Sequence, residues 1–344
     1  MTARIPLVAP PLRVERLSLQ QSLARAGASA LSPFGALGYG TPDGLPWMPT
    51  VNARVLSGAG PMADVWHAGE HVESGITGAV RWRCDGHWML GAIDLDEAFE
   101  KQGVAALARQ AYADLFEALQ QTGCTHLLRI WNYLPQINGD GGGMERYRQF
   151  NSGRQQAFVE AGQAAFDGAP AACALGIRQG ALSIRFLAGR SAPLAIENPR
   201  QVSAYRYPTT YGPRAPTFSR AALAELGGGE VALFISGTAS IVGHETQHLG
   251  QIEAQTHETL RNLEAVIAAA NRHSSARFDL SALDAVVYVR HAADAPTVRA
   301  VLAERLGADA ATLERAVFLE ADICRQDLLV EIEAHAVAGG ALHA

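Results

Sequence analysis

The sequence predicts an α+β fold in which two similar halves pack together in one chain. Its 344 residues correspond to about two domains at roughly 150 residues per domain. A strand–helix–strand pattern occurs twice, around residues 87–133 and 231–290. Apolar residues make up 48% of the chain and charged residues 18%, and this balance excludes an intrinsically disordered protein.

The first half begins with residues 20–60, which are rich in Gly, Ser and Pro and are expected to be irregular. The dipeptide Asp85-Gly86 separates two short apolar runs and predicts a hairpin within 77–95. Apolar side chains three and four positions apart over 104–119 predict an amphipathic helix, which ends near Gly123. A strand is expected next, at 126–133.

The second half repeats this pattern. Strands are expected where short β-branched and apolar runs occur, and helices where the apolar period is three to four residues. The predicted strands are 231–236, 285–290 and 328–334, and the predicted helices are 252–270 and 296–306.

Charge and cysteine content limit the possible partners and compartments. Lys plus Arg is 28 and Asp plus Glu is 34, so the net charge is 28 − 34 = −6, which disfavours nucleic-acid binding. No run of 18 apolar residues predicts a membrane span, and residues 1–19 do not resemble a signal peptide. The four cysteines form no CxxC pair. We therefore expect a cytoplasmic protein without a disulfide framework or zinc ribbon.

The string from His244 to His248 satisfies the HExxH pattern of zinc proteases. Two observations count against zinc. Gln251 and Ala254 stand where the extended zinc motif needs Gly and His, and residues 236–243 predict a strand end and a turn rather than a helix. The alternative is a polar turn before the 252–270 helix, and we expect neither a metal nor another cofactor.

Two stretches rich in Arg and Tyr, 145–158 and 205–220, predict a pocket for a small carboxylated ligand. Arg binds carboxylates with two parallel hydrogen bonds, and Tyr adds a directed hydroxyl beside an aromatic wall. The alternative is a set of solvated arginines with structural tyrosines. The candidate binding residues are Tyr147, Arg154, Tyr205, Tyr211 and Arg214.

Strand alternation in 328–334 places Glu331 and Glu333 on one face and the neighbouring apolar residues on the other. A partly desolvated Glu331 would have a raised pKa and could donate a proton near neutral pH. The alternative is a glutamate that faces water from an edge strand. Cys324 by itself predicts only a small core residue.

The second half resembles the RidA (YjgF) family. The resemblance rests on Ser236-Gly237, Gln255-Thr256, Asn262-Leu263 and the final Glu331 to Ala334. It covers about a third of the chain and implies that fold for each half. We expect three segments along the chain. Residues 1–150 form the N-terminal half with its irregular leader, and residues 151–220 form an Arg/Tyr-rich connecting segment that lines the pocket. Residues 221–344 form the C-terminal half with the catalytic glutamate.

The whole chain resembles the chorismatases, larger enzymes on that fold, through the strings RIWNYLPQING, ERYRQFNSGRQQAF, YPTTYGPRAPTFSRA and SGTASIVGHETQH. The resemblance implies a metal-free enzyme that cleaves chorismate to pyruvate and a hydroxybenzoate. Glu331 matches the family acid, and Cys324 matches a cysteine of the aromatising branch. Ala239, or Gly237 beside it, would be the small residue that tunes the product, and an alanine there would resemble the hydrolytic branch.

Other functions stay open at this point. A hydrolytic chorismatase would give 3,4-dihydroxycyclohexa-1,5-diene carboxylate instead of 3- or 4-hydroxybenzoate. A RidA-like enamine/imine deaminase has no use for the Arg/Tyr stretches, and a non-catalytic ligand-binding protein would release no pyruvate. We expect chorismate as the small-molecule partner, with no nucleic acid or membrane, and a monomer or small homo-oligomer.

Overall fold

The structure, a computed structural model, describes residues 10–28, 33–41, 45–57, 60–69, 71–100 and 102–343. Within these ranges the chain forms a four-stranded sheet, two seven-stranded sheets and a two-stranded hairpin. No helix in the described ranges combines the length and apolar character that crossing a membrane requires. The predicted α+β class is confirmed.

The N-terminal segment forms the four-stranded sheet, in the order β1-β5-β2-β3. Residues 20–60 are therefore more regular than expected, apart from 29–32, 42–44 and 58–59, which lie outside the described residues, as do 1–9. The local sequence did not predict these strands because they depend on tertiary packing. All five residues of GALGY at 35–39, for example, are buried by distant parts of the chain. The elements are β1 (Arg13–Ser18), α1 (Leu19–Ala28), β2 (Gly35–Tyr39), β3 (Thr50–Val51), β4 (Arg54–Ser57) and β5 (Met62–His67).

The first half follows, and its seven-stranded sheet also includes one strand from the second half. The predicted hairpin and amphipathic helix are both present, and Gly123 ends the helix in a left-handed conformation with φ 72°. The elements are β6 (Glu73–Thr77), β7 (Val80–Cys84), β8 (Trp88–Leu95), α2 (Glu97–Glu100), α3 (Val104–Thr122), β9 (His126–Pro135), α4 (Arg146–Glu160), β10 (Ala171–Ile177) and β11 (Leu182–Gly189).

The second half forms the other seven-stranded sheet, in which every predicted element is found within a few residues of its expected bounds. The elements are β12 (Leu194–Ile196), β13 (Ala221–Gly227), β14 (Glu230–Ala239), β15 (Ile241–Val242), β16 (Glu245–Thr246), α5 (Ile252–Ala270), β17 (Asp284–Val289), α6 (Ala295–Leu306), α7 (Ala311–Arg315), β18 (Val317–Glu320), β19 (Asp322–Ile323) and β20 (Val330–Gly339).

The two large sheets exchange strands. The first has the order β19-β10-β9-β11-β8-β7-β6 and the second β12-β13-β14-β20-β17-β18-β4, so β4 and β19 each lie in the sheet of the other half. The segment 151–220, which was expected to connect the halves, supplies β10 and β11 to the first sheet and β12 to the second. Because β9 and β10 are parallel, the chain must cross over between them, and α4 lies in that crossover.

The halves pack sheet against sheet, with helices on the outer faces. Trp131 and Tyr133 from the first sheet share one apolar core with Phe234 and Tyr288 from the second. Helices α3 and α4 cover the first sheet, and α5 and α6 cover the second. This arrangement places the inner face of β10 opposite the paired strands β14 and β20, where the site lies.

A buried polar network also joins the halves. Arg129 on β9 forms an ion pair with Glu333 on β20, and both side chains are almost fully buried. The Tyr288 hydroxyl donates to Glu333 Oε1 at 2.7 Å, and the Tyr133 and Tyr288 hydroxyls are 2.9 Å apart. The pair joins β9 of the first sheet to β20 of the second, and loss of either partner would leave the other buried and unpaired.

Candidate active site

A cavity of about 680 Å³ opens between the halves. Its walls combine four carboxyl groups (Glu145, Glu245, Asp327 and Glu331), one thiol, several arginines and aromatic rings, a typical composition for a small-molecule site. Residues from four parts of the chain meet there, among them Tyr147 and Arg148 of α4, Tyr207, Tyr211 and Arg220 of the loop before β13, Gly237 and Ala239 of β14, and Cys324, Arg325 and Glu331 at the start of β20 and just before it.

Glu331 lies on a central strand rather than an edge, because β20 pairs with β14 on one side and β17 on the other. The predicted alternation is confirmed: Glu331 and Glu333 face the other sheet, while Val330 and Ile332 pack in the core under α5. The Glu331 side chain is buried, with 3% of the residue exposed. The alternative of a water-facing edge glutamate is therefore wrong.

Burial gives Glu331 its acid–base character. Desolvation raises the pKa of its carboxyl group to about 8, with a further contribution from the negative charge of Glu333. The nearby guanidinium groups of Arg129 and Arg220 oppose this shift. Glu331 therefore carries its proton at neutral pH and can act as a general acid.

The backbone of β14 brings two small residues to Glu331. Ala239 is the direct cross-strand partner of Glu331, and the register shifts between Ile235 and Thr238 just before it. A Cβ atom added to Gly237 would lie 1.9 Å from Glu331 Oε1 and 3.2 Å from Cys173 Cβ. Gly237 is thus the small residue in contact with the acid, and Ala239 lines the cavity beside it.

Cys324 lines both the main cavity and a small inner recess of about 20 Å³. Burial raises the pKa of its thiol to about 12, and the negative charge of Glu331 adds to this. The side chain is therefore a neutral thiol at physiological pH, suited to a weak hydrogen bond and not to nucleophilic attack.

Arg154 and Tyr147 of α4 border the same recess. Arg154 is 1% exposed, and its Nη2 atom donates to Asn151 Oδ1 at 2.9 Å. Its buried Nε atom finds no hydrogen-bond partner within the described part of the chain. A buried guanidinium with an unused N–H group can donate a hydrogen bond to the carboxylate of a ligand.

Two arginines that sequence reasoning did not select also line the cavity. Arg220 donates from Nη2 to the Val202 carbonyl and the Tyr207 hydroxyl, each at 2.7 Å. Arg325 donates to the His244 carbonyl at 2.8 Å. Among the described residues, Arg220 Nε and Arg325 Nη2 are buried without a partner. Arg220 could have been found from the sequence, because it lies in the string YPTTYGPRAPTFSRA that carries the family resemblance. Arg325 had no such signal, because only the path of the loop before β20 brings it to the cavity.

The structure brings together some of the predicted binding residues and not others. Tyr211 lines the cavity, with its hydroxyl donating to the His244 carbonyl at 2.8 Å and its ring 4.1 Å from the Arg325 guanidinium carbon. Tyr205 and Arg214 are not among the cavity walls. Arg214 is exposed and reaches only Gln155, at 3.5 Å, while the Tyr205 ring contacts Arg206. In this loop Tyr207 and Arg220, which were not predicted, line the cavity together with Tyr211.

The HExxH string does not form a zinc-binding helix. Glu245 and Thr246 lie in the β15–β16 hairpin, and His248 has a left-handed backbone with φ 56°. The helix begins only at Ile252, as the alternative interpretation predicted. No group of three or more His, Cys, Asp or Glu side chains converges on a metal position within the described ranges. That the activity needs no metal stays a prediction.

The geometry defines a class of protein: an enzyme whose cavity holds a neutral carboxylic acid beside arginines with free donors. Such a site can protonate a substrate that carries negative charge. Its main groups, Glu331, Arg154, Arg220 and Arg325, all belong to one chain.

Comparisons with known proteins identify the family. A profile described as "Chorismatase FkbO/Hyg5-like, N-terminal" matches residues 64–188, and one described as "Endoribonuclease L-PSP" matches residues 219–338. A 3-hydroxybenzoate synthase of Streptomyces hygroscopicus is 41% identical over 286 residues, or 80% of this chain and 81% of that one. A chorismatase of Streptomyces rapamycinicus is 40% identical over 79% of this chain and 81% of its own.

A crystal structure of a chorismatase shares 33% identity with this chain and gives a TM-score of 0.79, covering 96% of this chain and 99% of that one. The chain therefore belongs to the chorismatase family. The family resemblance, the fold and the enzyme class predicted from the sequence are confirmed.

Proposed function

We propose that the enzyme cleaves chorismate to pyruvate and 3-hydroxybenzoate. The observation that carries this proposal is the contact of Gly237 and Cys324 with the same inner space as the neutral Glu331 carboxyl group. The similarity to a protein named 3-hydroxybenzoate synthase supports the choice of product.

The first step is protonation of the terminal methylene carbon of the enol ether by Glu331. This step forms a C–H bond and leaves an oxocarbenium ion, whose positive charge the new Glu331 carboxylate stabilises. Chorismate carries two carboxylates, and the free donors of Arg154, Arg220 and Arg325 match them. Arginines held in place before the substrate arrives lower the cost of ordering it.

In the second step the neighbouring ring hydroxyl attacks the ring carbon that bears the ether oxygen. The bond between that ring carbon and the ether oxygen breaks, so pyruvate leaves with a ketone group. The hydroxyl proton returns to Glu331. The resulting arene oxide opens and loses a ring proton to give 3-hydroxybenzoate. No water is consumed, whereas the hydrolytic branch consumes one water molecule.

The structure bears on the branch point. Gly237 and Ala239 both lie beside Glu331, and Cys324, which borders the same inner recess, supports the aromatising branch. The neutral Cys324 thiol can hold the ring oxygen as a weak donor without bringing in water. We expect the enzyme to be a monomer or a small homo-oligomer.

Turnover of chorismate in D₂O tests both the substrate and the first step. Pyruvate should be released and, when it is trapped at once as lactate, should contain one deuterium in its methyl group. Chromatography should show 3-hydroxybenzoate as the main aromatic product. Absence of pyruvate would leave the deaminase or ligand-binding alternatives, and the diene diol as main product would identify the hydrolytic branch.

A further inference from the structure

Two buried cysteines lie in contact far along the first sheet from the cavity. Cys84 ends β7, Cys124 follows the Gly123 cap of α3, and their Sγ atoms are 3.8 Å apart. Strand β7 is separated from β10, which borders the inner recess, by β8, β11 and β9. The mechanism proposed above uses neither thiol.

The surroundings of Cys84 favour its thiolate form. Its Sγ atom accepts a hydrogen bond from the Gly86 backbone N–H at 3.2 Å. It also lies 3.8 Å from the Cys124 Sγ atom, and either thiol can be the donor in that contact. The Cys124 hydrogen bond lowers the pKa of Cys84 to about 7, with the Arg190 guanidinium as a smaller contribution, and the same hydrogen bond raises the pKa of Cys124. Cys84 is therefore the better nucleophile and Cys124 the resolving thiol.

We propose that Cys84 and Cys124 form an oxidation-sensitive dithiol that closes to an intramolecular disulfide when the enzyme meets a peroxide. The Cys84 thiolate attacks one peroxide oxygen, the O–O bond breaks, and with one proton water leaves and Cys84 becomes a sulfenic acid. The Cys124 thiol then attacks the Cys84 sulfur, the S–O bond breaks, and a second water leaves. The two thiols are oxidised by two electrons and the peroxide is reduced to water.

The pair is placed for this chemistry by the fold. Both groups are already in van der Waals contact, so closure to a bonded S–S distance of about 2.05 Å needs only a small approach of β7 and the α3 cap. Cys84 is 6% exposed and lies next to the hairpin turn at Asp85-Gly86. A small oxidant that enters through this turn reaches Cys84 before Cys124, which is fully buried.

Peroxide treatment of the folded full-length enzyme tests the proposal. After removal of excess peroxide and denaturation, two of the four thiols should be lost. Tryptic peptides 84–101 and 110–129 should be joined by a bond that dithiothreitol cleaves, because each cysteine lies in a different tryptic peptide. Pyruvate release should be retained, since the pair lies away from the cavity, and the oxidised protein should unfold at a higher temperature than the reduced one.

Two matched variants separate the roles of the thiols. Cys124→Ser should leave Cys84 as a sulfenic acid that dimedone traps, whereas Cys84→Ser should form neither the disulfide nor a dimedone adduct on peptide 110–129. The thiol count after peroxide treatment is made on the wild-type enzyme, so it tests the proposal even if these variants do not fold. Four remaining thiols, or oxidation at Cys173 or Cys324 with loss of activity before the pair reacts, would overturn the proposal.

Discussion

Gly237 and Glu331 are in direct contact across the β14–β20 ladder: any Cβ atom at position 237 would lie 1.9 Å from Glu331 Oε1. The absence of a side chain at this position lets the carboxyl group point into the inner recess. One glycine thus determines where the Glu331 carboxyl group stands relative to Cys324 and the cavity.

Glu331→Gln should abolish turnover while the fold is retained. Gln keeps the size and polarity of the side chain but cannot protonate carbon, and general acid catalysis is typically worth roughly 10²–10⁴-fold. The rate of pyruvate release and the circular dichroism spectrum measure the two expectations. Pyruvate release near the wild-type rate would assign the acid to another residue.

The activity of the wild-type enzyme should fall as the pH rises through about 8. Glu331 acts in its protonated form, and burial raises the pKa of its carboxyl group to about 8, so the acid is lost above that pH. A pH profile of kcat/KM measures the basic limb. A profile that stays flat to pH 10 would contradict a protonated Glu331 as the donor.

The same group should make stability fall with rising pH. Between 4.5 and about 8 the unfolded chain has released the Glu331 proton while the folded chain keeps it, so ionisation favours unfolding. The free energy of unfolding of the wild type should therefore decrease relative to that of Glu331→Gln by roughly 1.4 kcal/mol per pH unit. Urea titrations of both proteins at pH 6 and pH 8 measure the difference, and parallel pH dependences would contradict it.

Arg154→Met and Arg220→Met should each weaken the use of chorismate. Loss of one charged hydrogen-bonding group costs roughly 1.5–3 kcal/mol, or about 10- to 150-fold in kcat/KM. Arg214→Met is the matched control, because Arg214 is exposed and lies outside the cavity walls. Steady-state kinetics compare the three variants, and an effect of Arg214→Met as large as the others would return that residue to the binding site.

Cys324→Val should shift the product away from 3-hydroxybenzoate while pyruvate release continues, and Gly237→Ala should shift the product and also slow pyruvate release. A methyl group at position 237 must displace the Glu331 carboxyl group, and loss of the thiol removes the weak donor from the recess. Ala232→Gly serves as the control, because Ala232 is on the same strand but outside the cavity walls. Chromatography of the products measures the ratio, and identical ratios in the wild type and Cys324→Val would show that the cysteine only packs.

Arg129→Met should destabilise the enzyme by about 3–5 kcal/mol, because it leaves Glu333 charged and buried without its partner. The double variant Arg129→Met with Glu333→Gln should recover part of this loss, since no unpaired charge then remains. Urea unfolding of the wild type, both single variants and the double variant gives the coupling energy. Additive effects would show that the ion pair does not couple the two sheets.

Much of the fold could be predicted because local signals agree with it. The Asp85-Gly86 turn, the three-to-four spacing over 104–119 and the alternation in 328–334 each describe a short segment whose buried face is set by its own residues. The strands within residues 20–60 could not be predicted in this way. They are short, are stabilised by burial against distant residues, and have little periodicity of their own.

The sequence by itself determined the chemistry that is available: the family strings, the acid at Glu331, the thiol at Cys324 and the arginines of two stretches. Only the tertiary structure decided which of these groups meet. It placed Arg220 and Arg325 in the cavity and left Arg214 exposed, and it brought both Gly237 and Ala239 of β14 beside Glu331. The physical reason is that proximity across strands and desolvation depend on pairings between residues far apart in the chain, such as Arg129 and Glu333, which are 204 positions apart. No local pattern encodes such pairings.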